Sequence, residues 1–251
     1  MTSRRDYLLR NFVIPFTTCM IDRYSIAATP LTLRERFSVE ILHDYQPKYN
    51  AAPTNLLPVI TNTAPLGLSN FYWGTSPEWA KNKTVSEKII NVHAETIQEK
   101  PALKRKLMKN RCIVPADGFF AWKKSGKKML IPYRFVLKST DLFSFAGLWE
   151  EYEDTDGVEF HTFTLITVAS NALVQGIQER MPVILAPDGE KKWLSDKSTE
   201  AELMALLKPL EPEMMNLYSV SPGIQDTRIN VPSLHTPVPP ADQYGNLTLF
   251  D

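Results

Sequence analysis

The segment from Asn91 to Trp122 constrains the fold more than any other part of the chain, because it reads as one strand–helix–strand unit. It opens on the polar strand end Asn91–Glu95 and passes into a basic helix that Pro101 can begin, since proline costs nothing in the first turn. It returns as the apolar run Arg111–Pro115, and a tight turn then leads into a second strand that ends at Trp122. Such a unit brings Asn91 and the residues near Trp122 towards one edge, where a site can form.

The rest of the chain predicts further strands joined by short helices and turns. Runs of strand length that alternate or are apolar throughout lie at Leu57–Thr61, Pro132–Lys138, Phe143–Trp149, Phe160–Thr167 and within Ile177–Leu185. Helices are predicted at Leu31–Phe37, from Ser170-Asn171 to Ile177, at Glu190–Leu194 and at Glu200–Lys208. The last helix has a capping box, in which Thr199 and Glu202 each satisfy a backbone N–H of the other.

Composition excludes several classes of protein. The 251 residues are 43% hydrophobic, enough for a sizeable core, and no run of 18 apolar residues predicts a membrane span. Two cysteines, Cys19 and Cys112, argue against a disulfide scaffold and favour a reducing cytoplasm. The four histidines are scattered without ligand spacing, so no metal and no cofactor is expected.

The formal net charge is zero, but the charges are unevenly distributed. Residues 100–128 contain ten lysines and arginines and one acidic residue, a net charge of +9. Clustered cations of this kind are typical of phosphate-binding surfaces, although most charge runs are simply solvated faces. We predict a disordered or misassigned N-terminal extension over 1–19, a domain over 20–236 and an extended tail over 237–251.

Seven motifs occur in an order that resembles the SOS response-associated peptidase family, whose members crosslink covalently to abasic sites in single-stranded DNA. They are Met20–Ser25, Tyr49–Thr54, Asn70–Gly74, Asn91–Thr96, Cys112–Trp122, Ile177–Leu185 and Tyr218–Leu234. The resemblance implies a single α+β domain with a mainly antiparallel, barrel-like β core and peripheral helices.

The resemblance also implies a chemistry that needs an N-terminal cysteine, a glutamate and a histidine. The cysteine amine condenses with the aldehyde of the ring-opened sugar, and an α-amino pKa of about 8 leaves a usable neutral fraction at pH 7. This chain has Ile21, Ala121 and Gln178 at the matching positions, and none of these side chains is a nucleophile or titrates. Asn91 matches the asparagine that orients the abasic sugar, with a turn cap as the alternative.

Other residues offer substitutes for the missing groups. Glu95 and Glu179 can act as acids, although neither occupies a matching position. Cys19 becomes an N-terminal nucleophile if the chain is cut after Thr18; otherwise it is an incidental cysteine in a flexible arm. Cys112 is expected to be a buried core residue.

Six residues match positions that contact DNA or hold the site in the family: Arg23, Asn50, Pro53, Trp73, His93 and Arg180. A structural ion pair is the alternative for Arg23 and Arg180. Trp73 can stack on a base or belong to the core.

These features leave three functional hypotheses open. The leading one is a catalytically degenerate homologue that binds single-stranded or abasic DNA as a monomer, in the cytoplasm and at the nucleoid. The second is an active crosslinking enzyme that uses Cys19 after N-terminal cleavage. The third is an interaction protein without DNA binding.

Overall fold

Five strands close into a ring at the centre of the molecule. A computed structural model describes residues 21–41, 43–75, 90–125, 129–153, 157–242, 244, 246 and 247. The strands are β1 (Tyr24–Ile26), β2 (Lys48–Ala51), β3 (Leu56–Thr61), β4 (Ala64–Trp73), β5 (Asn91–His93), β6 (Arg111–Ala116), β7 (Gly118–Ser125), β8 (Met129–Leu137), β9 (Phe143–Glu153), β10 (Glu159–Ala169), β11 (Arg180–Pro182), β12 (Ile184–Leu185) and β13 (Met215–Ser219). The helices are α1 (Pro30–Phe37), α2 (Ala94–Glu99), α3 (Pro101–Lys109), α4 (Ala172–Gln175), α5 (Pro187–Leu194) and α6 (Glu200–Ala205).

The ring follows the order β10–β4–β3–β6–β9 and returns to β10. Every pairing is antiparallel except that of β4 with β10, which is parallel and places Tyr72 opposite Thr162 and Trp73 opposite Phe163. Closing a sheet on itself removes the exposed edges that would otherwise pair with another chain. The ring is therefore a small mixed barrel.

Strand β10 is the organising strand, because four other strands pair with it directly. Beyond β4, the short strand β5 runs parallel along the same edge, with Asn91 opposite Leu165 and His93 opposite Thr167. On the other edge, β9 pairs with the first part of β10 and β11 with its end, where Arg180 lies opposite Ala169. The end of β10 thus brings β5 and β11 to one mouth of the ring.

A second sheet, in the order β13–β8–β7–β1–β2, packs on the ring. The Tyr24 ring of β1 contacts Trp73 and Phe145 of the ring strands edge-on, with centroids 5.2 and 5.7 Å apart. Phe119 and Phe135 of the second sheet stack at 4.8 Å. Aromatic pairs at these separations stabilise a core beyond the area they bury. One continuous core joins the two sheets.

Several local signals were correctly interpreted. Pro101 begins α3, and the capping box of Thr199 and Glu202 begins α6. Asn171 caps α4 by accepting from the N–H groups of Leu173 and Val174 at 3.1 and 3.0 Å. The predicted single α+β domain with a mainly antiparallel, barrel-like core and peripheral helices is confirmed.

Other boundaries were wrong. Glu95 lies in helix α2 and not at a strand end, since β5 stops at His93. The segment Ile177–Leu185 forms two short strands rather than one, because Val183 leaves β11 and its N–H donates across to Ile166 O of β10. Helix α6 ends at Ala205, three residues before the predicted end.

The described part of the chain contains no helix that is long and apolar enough to cross a membrane. Among the same residues no group of three or more His, Cys, Asp or Glu side chains is arranged to hold a metal ion. Cys112, a described cysteine, is fully buried, and burial raises the pKa of its thiol. The prediction that Cys112 is a core residue is confirmed. Cys19 lies outside the described residues.

Candidate functional site

Asn91 lies at the mouth of the ring, where pairing with β10 fixes its backbone. Its side chain is buried, and Nδ2 donates a hydrogen bond to the carbonyl oxygen of Ile21 at 2.8 Å. The other amide atom, Oδ1, is buried and accepts no hydrogen bond from the described residues. An unsatisfied buried acceptor costs free energy, so a donor brought to this oxygen would stabilise the site.

The residues that lead into β1 pass directly beside Asn91. Ile21 is fully buried, and the backbone N–H of Phe120 in β7 donates to the carbonyl oxygen of Arg23 at 3.1 Å. The same short segment therefore contacts β5 through Ile21 and β7 through Arg23. This segment links Asn91 of β5 to Phe120 of β7. The two strands belong to different sheets, so the link runs through residues 21–23 and not along one edge of a strand–helix–strand unit, as the sequence had predicted.

Asp22 is a site residue that sequence reasoning did not propose as an acid. Its carboxyl group is buried, and burial raises its pKa, although the Arg23 guanidinium partly opposes the shift. Asp22 Oδ1 has no hydrogen-bond partner among the described residues, whereas Oδ2 lies 3.4 Å from Arg23 Nη1. An acidic residue immediately after Ile21 was the signal that could have identified it.

Ala121 and Gln178 are both buried in this region of the fold. Ala121 lies in β7 opposite Tyr133 of β8, and its methyl group belongs to the core. Gln178 donates from Nε2 to the carbonyl oxygen of Arg180 at 2.7 Å. Its amide therefore fixes the start of β11.

Arg180 and Glu95 form an ion pair that links β11 to α2. Two parallel hydrogen bonds of 3.1 and 2.8 Å join the guanidinium to the carboxylate, and Arg180 also donates to Thr167 O at 2.6 Å. The hydrogen bond from Arg180 lowers the pKa of Glu95. Glu95 is thus held ionised, which disfavours the hypothesis that it replaces the missing acid.

The six predicted DNA-contact residues do not form a single surface. Trp73 is fully buried, stacks on Phe163 at 6.2 Å and donates from Nε1 to Ile90 O at 3.0 Å. The structure therefore favours the core alternative for Trp73 over base stacking. Arg23 is likewise buried against Asp22, which favours the structural ion pair.

Asn50 and Pro53 make no hydrogen bond to Asn91 among the described residues. Asn50 is buried, and its Nδ2 lies within hydrogen-bonding distance of the carbonyl oxygens of Ile224, Asp226 and Ile229, at 3.0 to 3.1 Å. It fastens residues 224–229 to β2. Pro53 is buried, and His93 is half-buried at the start of α2 beside Asn91. A DNA contact at Asn50, Pro53 or His93 stays a prediction.

A cleft of about 510 Å³ opens beside Asn91, between helices α2 and α3 and strands β9 and β10. We call it the α3 cleft. Its apolar walls are Val92, Ala102, Leu103 and Leu148. Its polar groups come from Asn91, His93, Thr96, Lys100, Lys106, Glu150, Thr162 and Thr164.

The six basic residues within 100–111 separate into three groups: one is buried, two form ion pairs and three are exposed. Lys127 and Lys128 lie outside the described residues. Arg111 is 1% exposed, and its guanidinium donates to the carbonyl oxygens of Leu107, Met108, Trp193 and Ser195 at 2.6 to 3.0 Å. It is a structural residue. Lys104 pairs with Glu200 at 3.1 Å and Lys106 pairs with Glu150, so acids from other elements reduce the local charge. The exposed cations of α3 are Arg105 and Lys109, with Lys100 immediately before it.

The sequence and the fold resemble those of known proteins. A family model for the SOS response associated peptidase (SRAP) matches residues 20–227. This chain belongs to the SOS response associated peptidase family. The match begins one residue before Ile21 and includes Asn91, Ala121 and Gln178.

Similar proteins from bacteria and animals are named abasic site processing proteins. The abasic site processing protein YoqW of Bacillus subtilis is 38% identical over 220 residues, spanning 86% of this chain and 98% of that protein. YoaM, an abasic site processing protein of the same organism, is 44% identical over 189 residues, spanning 74% and 83%. HMCES of Xenopus tropicalis is 30% identical over 220 residues, spanning 75% and 65%.

A crystal structure from Bacteroides thetaiotaomicron has a similar fold to this SRAP chain. It superposes with a TM-score of 0.76 at 30% identity and covers 86% of this chain and 99% of that one. The likeness supports the single-domain architecture built around the ring.

Proposed function

We propose that this SRAP protein binds single-stranded DNA at abasic sites without forming the covalent crosslink. The observation that carries the proposal is the arrangement at Asn91. Its amide Nδ2 donates to the carbonyl oxygen of Ile21, a buried aliphatic residue, while Oδ1 has no hydrogen-bond partner among the described residues. The site thus retains a polar recognition group beside a residue that has no nucleophile.

The neighbouring positions support the loss of chemistry. Ala121 contributes only a methyl group, and the Gln178 amide is engaged by the Arg180 carbonyl and does not titrate. General acid and base groups typically contribute about 10²- to 10⁴-fold each, so losing two would slow imine formation severely. Losing the nucleophile abolishes it.

DNA binding is supported by the family and by the cations near the site. The related proteins are named for abasic site processing. Lys100 and Lys106 line the cleft that contains Asn91, and Arg105 and Lys109 are exposed on the same helix or its flank. Cations placed this way release counterions from the phosphate backbone on binding.

The crosslinking test is a heat-stable gel shift with single-stranded DNA that carries one abasic site. The full chain and a version that begins at Cys19 are compared. We expect no heat-stable band from either protein. A band from the version that begins at Cys19 would refute the proposal that the protein forms no crosslink, and would make cleavage after Thr18 the activating step. Sequencing the N-terminus of the protein from its native host shows whether that cleavage occurs.

The binding test measures affinity for the same DNA, by fluorescence anisotropy, at several salt concentrations. Contacts with three to five phosphates give an affinity loss of about 10- to 100-fold between 50 and 200 mM salt. Removing two cations of α3, by Arg105→Ala with Lys109→Ala, is expected to flatten this slope. The matched control is Arg34→Ala with Lys208→Ala, two exposed cations outside α3. Absence of any salt-sensitive binding would favour the interaction protein without DNA.

A further inference from the structure

The α3 cleft lies between helices α2 and α3 and one face of the β9–β10 pair. On that face Thr162 lies opposite Glu150 and Thr164 lies opposite Leu148, and all four residues line the cleft. Its volume of about 510 Å³ lies within the range of small-molecule sites.

One end of the cleft presents a hydrogen-bond donor beside an acceptor. The Lys106 ammonium contacts the Glu150 carboxylate, and the Tyr152 hydroxyl donates to Glu150 Oε2 at 2.7 Å. The side chains of Lys106 and Glu150 remain 26% and 37% exposed, so a ligand in the cleft can reach both. Carbonyl acceptors next to N–H donors, as on the edge of a nucleobase, complement such a pair.

The other end of the cleft is continuous with the candidate site. Asn91 belongs to both, since it lines the cleft and donates to Ile21 O. The exposed cation Lys100 also lines the cleft and suits a phosphate. Apolar walls at Ala102, Leu103 and Leu148 lie between the two polar ends. A flat apolar body with one polar edge and an anionic group fits this distribution.

We propose that the α3 cleft holds one unstacked base of single-stranded DNA, from the nucleotide that neighbours the one at Asn91. The base edge faces Lys106 and Glu150, and its phosphate lies towards Lys100. This inference rests on the DNA-binding function proposed above and adds a second recognition point for an intact base.

Filling the cleft tests the proposal. Ala102 is an exposed residue of α3 that lines the cleft, so Ala102→Trp places a large ring in it without disturbing the core. Ala201→Trp is the matched control, because Ala201 is exposed on α6 and does not line the cleft. Thermal unfolding of both variants verifies that they fold. We expect Ala102→Trp to bind single-stranded DNA at least about fivefold more weakly than the control, which corresponds to about 1 kcal/mol.

A second measurement uses the unaltered protein. In an oligonucleotide with a central abasic site, one base at a time is replaced by a base-free sugar analogue. We expect one neighbouring position to lose at least about fivefold in affinity, and that loss to vanish in Ala102→Trp. Equal binding by Ala102→Trp and Ala201→Trp, while the wild type binds, would overturn the base site and leave the proposed function standing. If the wild type binds no oligonucleotide, both proposals are wrong.

Discussion

Arg111 gives the most decisive test of the fold, because one buried guanidinium closes two helix ends. It donates to Leu107 O and Met108 O at the end of α3, and to Trp193 O and Ser195 O at the end of α5. The final carbonyls of a helix have no intrahelical partner, and a cation near them also interacts favourably with the helix dipole. Replacing Arg111 by alanine leaves four carbonyl oxygens without this donor.

The size of the effect follows from these contacts. A hydrogen bond to a charged group contributes about 1.5–3 kcal/mol, but carbonyls close to the surface regain water. Each buried carbonyl left without a donor costs about 1–3 kcal/mol, so we expect a loss of about 3–5 kcal/mol for Arg111→Ala. The control is Arg105→Ala on the exposed face of α3, for which a change within about 0.5 kcal/mol is expected.

Urea unfolding followed by tryptophan fluorescence measures both free energies. If Arg111→Ala lowered the free energy of unfolding by less than about 1.5 kcal/mol, the structural role assigned to Arg111 would be wrong. Arg111 would then count among the cations that can contact phosphate. The DNA affinity of the Arg111→Ala variant is measured in parallel. We expect it to fall no further than the smaller fraction of folded protein explains.

Three further outcomes are expected. The pKa of Asp22 is raised in the folded state, so the stability that its protonated form contributes at low pH is lost as pH rises from about 4 through the folded pKa. Asp22→Asn removes this loss, so the free energy of unfolding of the variant relative to the wild type should increase with pH across that window. A constant difference in urea titrations would contradict the assignment. Asn50→Ala should cost about 2 kcal/mol and accelerate amide hydrogen exchange in residues 224–229, whereas Asn216→Ala, at an exposed position, should do neither. Thr199→Ala removes the cap of α6 and should lower stability by about 1 kcal/mol in thermal unfolding, and an unchanged midpoint would show that the cap contributes nothing.

Local chemistry made part of the fold predictable from sequence. Pro101 and the pair Thr199–Glu202 act on backbone groups within their own turns, so their effect is independent of the rest of the chain. Ring closure was not predictable in the same way. The parallel pairing of Trp73 with Phe163 joins residues 90 positions apart, and no local pattern specifies its register.

The candidate site was also predictable from the sequence only in part. The motif around Asn91 located the residue, but the hydrogen bond to Ile21 O depends on how β1 enters the fold. Arg111 was counted with the cations of a surface cluster, since a basic run gives no sign of which member is buried. The motif match at Asn50 predicted a DNA contact, but it could not reveal the three carbonyls, more than 170 residues later, that lie around its amide.

Closure of the ring by β10 has a consequence for synthesis on the ribosome. Strands β3, β4, β6 and β9 are complete before residue 159 is added, yet the ring has no closing partner until then. Pairings between residues far apart in sequence form slowly, because the chain entropy is lost before the contacts repay it. Asn91 gains its Leu165 partner only at that stage, and residues 224–229 reach Asn50 later still. The nascent chain therefore presents no assembled candidate site until β10 has been added.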